Sequence, residues 1–192
     1  MIKQGYYKDK VYPHSPDQEK RLFADSLNSM VLKLGRICAG VEIGVLNGET
    51  SRALLNINPQ IWLVGIDPLI PDSMEASLIG NEQQIIENTR EFGWRFKFLH
   101  DYSQNVVHQF EKESLDFLFI DGDHTYDGVK QDFDLYYEKV RPGGYIYFHD
   151  SRMYRGGAPF HVGSSKFTDE LIQAGTMELL GEAFSLTCFQ KR

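Results

Sequence analysis

Short apolar runs alternate along most of the chain with segments whose apolar residues recur at helical spacing. Residues 40–46, 61–66, 95–99, 115–120 and 143–149 predict strands, and 49–56, 81–91, 103–112 and 126–139 predict helices. Such alternation builds a parallel sheet with helices on both faces. LDFLFID and GYIYFHD are nearly continuous apolar stretches, as strands covered on both sides should be. Both ends of the chain depart from this rhythm. Ahead of it, Ser15-Pro16-Asp17-Gln18 combines a capping Ser, a first-turn Pro and a Gln suited to a capping box. Leu22, Phe23, Leu27, Met30, Val31 and Leu34 then share one helical face, and Gly35 ends the helix. Behind it, a helix near 165–174, stopped by Gly175, precedes TMELLG and FSLTCFQ, which lie close enough to pair as a hairpin.

The expected fold is therefore α/β. It is a Rossmann-like, doubly wound, mostly parallel sheet of about seven strands, with a C-terminal antiparallel hairpin and an extra N-terminal helix. All 192 residues fit one domain, divided into an arm and helix over 1–37, a core over 38–150 and a lid loop, helix and hairpin over 151–192. Lys and Arg number 20 against 27 Asp and Glu, a formal charge of -7 that lacks the cationic footprint of a nucleic-acid binder. The N-terminal twenty residues contain no apolar run of signal-peptide length, and nowhere do eighteen uncharged apolar residues follow one another, so a cytoplasmic location without a membrane partner is expected. Cys38 and Cys188 show no metal or redox spacing and read as buried thiols.

In open α/β sheets the ligand sits beyond the carboxyl ends of the strands, where strand order reverses. The first strand-to-helix turn is Val41-Glu42-Ile43-Gly44-Val45-Leu46-Asn47-Gly48-Glu49-Thr50-Ser51. Gly44 and Gly48 let backbone approach a ligand, with Asn47 and Ser51 beside them. Glu42, ending an apolar strand, needs a partner: neighbouring backbone, or a cationic group such as the sulfonium or ammonium of S-adenosylmethionine. A dinucleotide fits less well, because Leu46 stands where G-x-G-x-x-G requires Gly and Glu49 opposes a pyrophosphate at the helix start. Asp67 ends IWLVGID at the distance where a carboxylate receives ribose hydroxyls, or else forms a turn before Pro68. Asp101, Tyr102 and Ser103 form a polar cluster at the third strand end, where adenine is expected, although Ser103 also suits a helix cap.

VEIGVLNGETSRALL, VGIDP and FLFIDGDHTYDGVKQDFDLYYEKVRPGGYIYFHD together resemble class I S-adenosylmethionine-dependent methyltransferases, of the type grouped with macrocin-like sugar O-methyltransferases and cephalosporin-hydroxylase-like proteins. The resemblance covers about residues 38 to 150 and is most specific in the last segment. Residues 1–37 and 152–192 carry no motif of the family.

Asp121 and Asp150 end the fourth and fifth strands, which should be neighbours about 4.8 Å apart. With His149 they form a hard, oxygen-rich site suited to Mg²⁺, unless either Asp merely caps the adjoining helix or loop. The resemblance implies the same metal site, since related enzymes use an Asp opening D-x-x-H and an acidic pair ending the next strand. Asp121-Gly122-Asp123-His124 matches the first element. His149-Asp150 departs from the second by its His, which admits Mn²⁺ or Zn²⁺. Methyl transfer to oxygen needs a base near neutral pKa, and the resemblance places His124 in that role, whereas the bland alternative makes it a helix cap. Asp123 and Asp127 read as first-turn acids.

Residues 68–80 and 151–163, the latter with Arg152, Tyr154, Arg155, Gly156, Gly157 and His161, are expected to border a substrate pocket or to be solvated loops. Tyr6, Tyr7 and Tyr12 either cover the site or make a homodimer contact. The leading expectation is O-methylation of a small hydroxylated metabolite, a sugar or glycoside. Two others stand beside it: a non-catalytic S-adenosylmethionine-binding or assembly module, and a metal-dependent hydroxylase-like enzyme.

Overall fold

The computed structural model describes residues 16–71, 79–151, 154–155, 158–159, 162–183 and 185–192. The capping Ser15, Tyr6, Tyr7, Tyr12, Arg152, Gly156, Gly157 and His161 lie outside the described residues, as do the side chains of Tyr154 and Arg155. After α1 (Pro16–Leu34) the chain alternates β1 (Cys38–Ile43), α2 (Glu49–Ile57), β2 (Ile61–Ile66), α3 (Glu82–Thr89), β3 (Phe96–Leu99), α4 (Ser103–Val106), β4 (Leu115–Ile120), α5 (Tyr126–Tyr136) and β5 (Val140–Phe148). A two-residue ribbon, Tyr154–Arg155 against Ala158–Pro159, leads to α6 (Val162–Ala174) and the hairpin β6 (Met177–Ala183) and β7 (Leu186–Lys191).

The sheet order is β3-β2-β1-β4-β5-β7-β6, parallel except where β7 pairs antiparallel with β5 and β6. Seven strands, mostly parallel, with an antiparallel C-terminal pair match the expectation from the hydrophobic pattern. Strand order reverses between β1 and β4, and a crevice opens there at the strands' carboxyl ends.

Two apolar layers cover the sheet, and the period-two pleat assigns each strand residue to one of them. Phe117, Phe119 and Tyr147 face Leu22, Phe23, Leu27, Met30 and Val31 of α1 and Leu54 and Leu55 of α2. Leu118, Ile120, Ile146 and Phe148 face Val129 and Tyr136 of α5 and Phe167 and Leu171 of α6. Each such fully buried large side chain contributes about 1.5–3 kcal/mol relative to leaving it in water. Tyr147 also stacks on Phe23 at 4.4 Å, and its hydroxyl shares a 2.7 Å hydrogen bond with Ser26. Both cysteines are buried thiols, as expected.

Several boundaries differ from the sequence pattern. β1 begins at Cys38 and stops at Ile43, because Gly44 turns to φ 89. The helix expected over 103–112 lasts four residues and tightens into a 3₁₀ turn ending at Gln109. Helix 81–91 likewise gives way to a 3₁₀ segment, kinked at Gly93, and 126–139 tightens after Tyr136. Gly35 does end α1, with φ 61 and a 2.9 Å bond from its N–H to the Val31 carbonyl. At the far end of the sheet, buried Asp116 accepts from Arg36 at 2.7 and 2.8 Å and from the Ala39 N–H at 2.8 Å, and it also pairs with Arg141.

Candidate active site

The β1–α2 turn is shaped by glycine and by a carboxylate. Gly44 has φ 89, and a Cβ there would lie 2.1 Å from the Asp121 carbonyl oxygen, so only glycine lets the ends of β1 and β4 come together. Asp67 Oδ2 accepts the N–H groups of Val45 and Leu46 at 2.7 and 2.8 Å, and Oδ1 accepts that of Leu69 at 2.7 Å. Asp67 thus forms the turn and also lines the cavity. Leu46, held at φ 53, is part of that organised turn.

The crevice is a cavity of about 590 Å³. Gly44, Asn47, Asp67, Tyr102, Ser103, Asp121, His124, His149 and Asp150 all line it, so most of the sequence-predicted residues share one space. Four do not. Gly48 forms the left-handed N-cap of α2, and Asp101 stands ahead of α4 outside the cavity lining, accepting from Tyr102 N–H at 2.8 Å and from the Asn105 amide at 2.7 Å. Glu42 and Ser51 lie beneath the wall, fully buried, with Ser51 donating to Glu42. Burial raises the Glu42 carboxyl well above its ordinary range despite the Ser51 bond, and its Oε1 has no hydrogen-bond partner among the described residues.

At one end of the cavity four titratable side chains meet. β4 and β5 are neighbours, with Ile120 opposite Phe148, so the next residues bring Asp121 and Asp150 together. His124 Nε2 lies 3.1 Å from Asp150 Oδ2 and 3.6 Å from Asp121 Oδ1. His149 Nδ1 lies 2.9 Å from Asp121 Oδ1 and 3.5 Å from Asp150 Oδ2, while its Nε2 sits 3.2 Å from the Ser185 hydroxyl. Burial disfavours the His124 cation, but bonds and charge from Asp121 and Asp150 outweigh it and push the imidazole up to about 10. Burial likewise opposes ionisation of both carboxylates, yet the histidines hold Asp121 and Asp150 below the usual range.

Two expectations change here. The two carboxylates beside His124 raise its imidazole above the near-neutral range expected of a base. Nor is His124 the helix cap: Thr125 caps α5 by accepting from Gly128 N–H at 3.1 Å. The expected metal trio of Asp121, His149 and Asp150 gains His124 as a neighbour. Asp121, His124 and Asp150 offer donor atoms all within 4.8 Å of one another, while His149 keeps Nδ1 beside the same carboxylates and turns Nε2 to Ser185. Two carboxylate oxygens and one imidazole nitrogen are a donor set suited to a divalent cation.

Sequence reasoning passed over Asp132, Gln104 and Gln131, which also line the cavity. The signal for Asp132 was present: it stands between Val129 and Tyr136 on the core face of α5, where a carboxylate is out of place. The two glutamines carried none. Asp123, read as a first-turn acid, accepts from Thr125 N–H at 2.9 Å and also lines the cavity. Of the expected border segments, Pro68, Ile70, Pro71 and Gly80 contribute to the wall.

A methyltransferase-domain family model matches residues 41–151, the stretch that carries this cavity. An uncharacterised protein of Acanthamoeba polyphaga mimivirus is 36% identical over 143 residues, covering 70% of this chain and 61% of its own length, so this chain spans about three-fifths of that relative. Among solved structures, an O-methyltransferase from Bacillus cereus in complex with SAH superposes with TM-score 0.62 at 15% identity, covering 95% of this chain and 84% of the other. MycE methyltransferase of the mycinamycin biosynthetic pathway, in complex with Mg and SAH, gives 0.61 at 16%, covering 88% and 49%. The chain belongs to the methyltransferase-domain family and has its Rossmann-like fold. Among the described residues, no helix is long and apolar enough to cross a membrane.

Proposed function

We propose that the protein is an S-adenosylmethionine-dependent O-methyltransferase acting on a small hydroxylated metabolite, such as a sugar or glycoside, with help from a divalent metal. One observation carries the reading: His124, Asp121 and Asp150 converge at one end of the cavity that the β1–α2 turn and Asp67 border. The volume falls within the range of about 300–1,000 Å³ typical of small-molecule sites. The cofactor also suits the residues present, since carboxylates border the space, Gly44 keeps the turn close, and Glu42 holds beneath it an oxygen with no hydrogen-bond partner among the described residues.

S-adenosylmethionine supplies an electrophilic methyl group. Asp67, with lone-pair capacity beyond its three backbone bonds, receives ribose hydroxyls. Ser103 and Asp132 border the end of the cavity assigned to the base. A divalent cation held by Asp121, His124 and Asp150 would supply positive charge to those carboxylates and lower the pKa of an acceptor hydroxyl. His124 and Asp150 would position that hydroxyl beside the cation, whose charge would favour release of the hydroxyl proton to solvent. The formal charge of -7 favours a small-molecule acceptor over nucleic acid.

The test is transfer of an isotopically labelled methyl from S-adenosylmethionine to a panel of sugars and glycosides, with divalent metal and with chelator. Metal-dependent labelling of hydroxyl oxygens supports the proposal. Cofactor binding with no transfer to any oxygen acceptor would leave a non-catalytic binding module in its place.

A further inference from the structure

The end of β5 meets the C-terminal hairpin through hydroxyl groups. Ser185, immediately before β7, is 0% exposed, and Ser151, Ser165 and Thr187 around it are buried too. The Ser185 carbonyl accepts the Ser151 N–H at 2.8 Å and the Ser151 hydroxyl at 3.1 Å. Ser151 Oγ also lies 2.7 Å from the Thr187 hydroxyl, and the Ser165 hydroxyl donates to the Ser151 carbonyl at 3.0 Å. Buried polar networks of this kind fix a single arrangement when their members are satisfied. The Ser185 carbonyl already docks the hairpin. Its hydroxyl turns instead to the cavity end, 3.2 Å from Nε2 of His149.

Among the described residues, three groups hold the His149 ring. Nε2 faces Ser185, Nδ1 stands 2.9 Å from Asp121 Oδ1, and the ring packs edge-on against Phe119 with 5.8 Å between centroids. A hydroxyl, an imidazole and a carboxylate thus stand in the order of a hydrolytic triad. Burial denies Ser185 a nucleophile's access to substrate, which leaves it a positioning role. A hydroxyl suits that role, because it donates to a bare Nε2 or accepts from an Nε2–H and so holds the ring in either charge state. Turning the ring over exchanges Nδ1 with a carbon, and Asp121 then loses its nitrogen partner.

We infer that Ser185 is a positioning residue for the acceptor end of the cavity: it fixes the orientation of His149, and His149 in turn braces Asp121 beside Asp150 and His124. The inference rests on the proposed function for what that end of the cavity does. It also carries the site beyond the stretch that the family model matches, which ends at residue 151.

Two variants test it. Ser185→Ala removes the hydroxyl and keeps the carbonyl that holds Ser151. Thr187→Val removes a hydroxyl from the same buried network, one bonded to Ser151 rather than to His149, and so controls for packing. The direct readout is the ring ¹⁵N magnetic resonance of His149 in the metal-free protein, its signals identified by their loss in His149→Gln. Wild type and Thr187→Val should show one common set of signals, and Ser185→Ala a displaced or doubled set. In methyl-transfer assays Ser185→Ala should lower kcat by roughly tenfold to a hundredfold, as losing the outer partner of a site residue commonly does, with the Kd for S-adenosylhomocysteine unchanged and Thr187→Val close to wild type. Identical His149 signals in wild type and folded Ser185→Ala overturn the inference. So does an unchanged kcat in Ser185→Ala, or an equal fall of kcat in Thr187→Val. If Ser185→Ala does not fold, wild-type signals averaged over two ring orientations overturn the inference and a single set supports it. A wild type that transfers no methyl group to any acceptor overturns the proposed function, while the His149 signals still decide whether Ser185 anchors the ring.

Discussion

His124 reaches across the boundary between two strand ends to Asp150, with 3.1 Å between Nε2 and Oδ2. Asp150 is held for this contact in a left-handed conformation, φ 49, which non-glycine residues rarely adopt. The next residue secures it: Ser151 N–H donates to the Ser185 carbonyl at 2.8 Å, and its hydroxyl donates to the Phe148 carbonyl at 3.0 Å. The C-terminal hairpin thus holds the His124–Asp150 end of the cavity from behind. Replacing His124 with Asn should lower kcat by about 10²–10⁴ while the Kd for S-adenosylhomocysteine changes little, since the proposed function places the imidazole among the groups that activate the acceptor. Stopped-time methyl-transfer assays and calorimetry on the same preparation check this.

Gly163 gives a second prediction, about packing. A Cβ there would stand 2.3 Å from the Tyr126 nitrogen and 2.5 Å from the His124 carbonyl oxygen, so α6 lies directly on the D-x-x-H backbone. Gly163→Ala should cost about 1–3 kcal/mol. A thermal melt should show a Tm lower by several degrees, roughly 2–4 °C per kcal/mol. Transfer activity measured well below Tm should fall as well, because the displaced backbone carries His124.

Asp116 separates stability from function. It lies at the start of β4, roughly 16 Å along the strand from Asp121 at about 3.3 Å per residue. Its carboxylate is buried against two arginines and the Ala39 N–H. Asp116→Ala should destabilise the fold by about 3 kcal/mol in urea denaturation, because the buried network loses its centre. Affinity for S-adenosylhomocysteine should stay unchanged.

Asp132 sets a pH dependence. Burial raises its carboxyl from 3.8 to about 6, partly offset by the Ser103 hydrogen bond and reinforced by the charge of Asp123. Between those values the folded state binds a proton that the unfolded chain has released. Its contribution to stability is complete below the lower value and is lost as pH rises through the higher one. Asp132→Asn should therefore flatten the fall in stability between about pH 4 and pH 6, read as Tm against pH for variant and wild type.

Much of this site was legible because three carboxylates end apolar strands. Asp67, Asp121 and Asp150 stand where a parallel sheet opens its crevice, and the alternation of runs and helical faces was enough to place them there. His124 was legible through the D-x-x-H spacing. Its charge state was not, because that depends on Asp150 approaching it across β4 and β5, a contact between residues 26 positions apart. Glu42 looked like a ligand contact and proved to lie under the cavity wall, since the pleat turns that residue inward towards Ser51. Asp132 went unread because a helix pattern marks faces by hydrophobicity, and one polar residue on the buried face reads as noise until the cavity beside it is seen. The bond between Ser185 and His149 had no local signal, for it depends on β7 pairing with β5.

The central claim is that this cavity binds a sulfonium cofactor beside a hydroxyl-activating cluster. Calorimetric titration of S-adenosylmethionine into the wild-type protein, with a divalent metal present, tests it most directly. The account predicts saturable binding at one molecule per chain, competed by S-adenosylhomocysteine. Absence of saturable heat at millimolar cofactor, from protein shown to be folded, would contradict it.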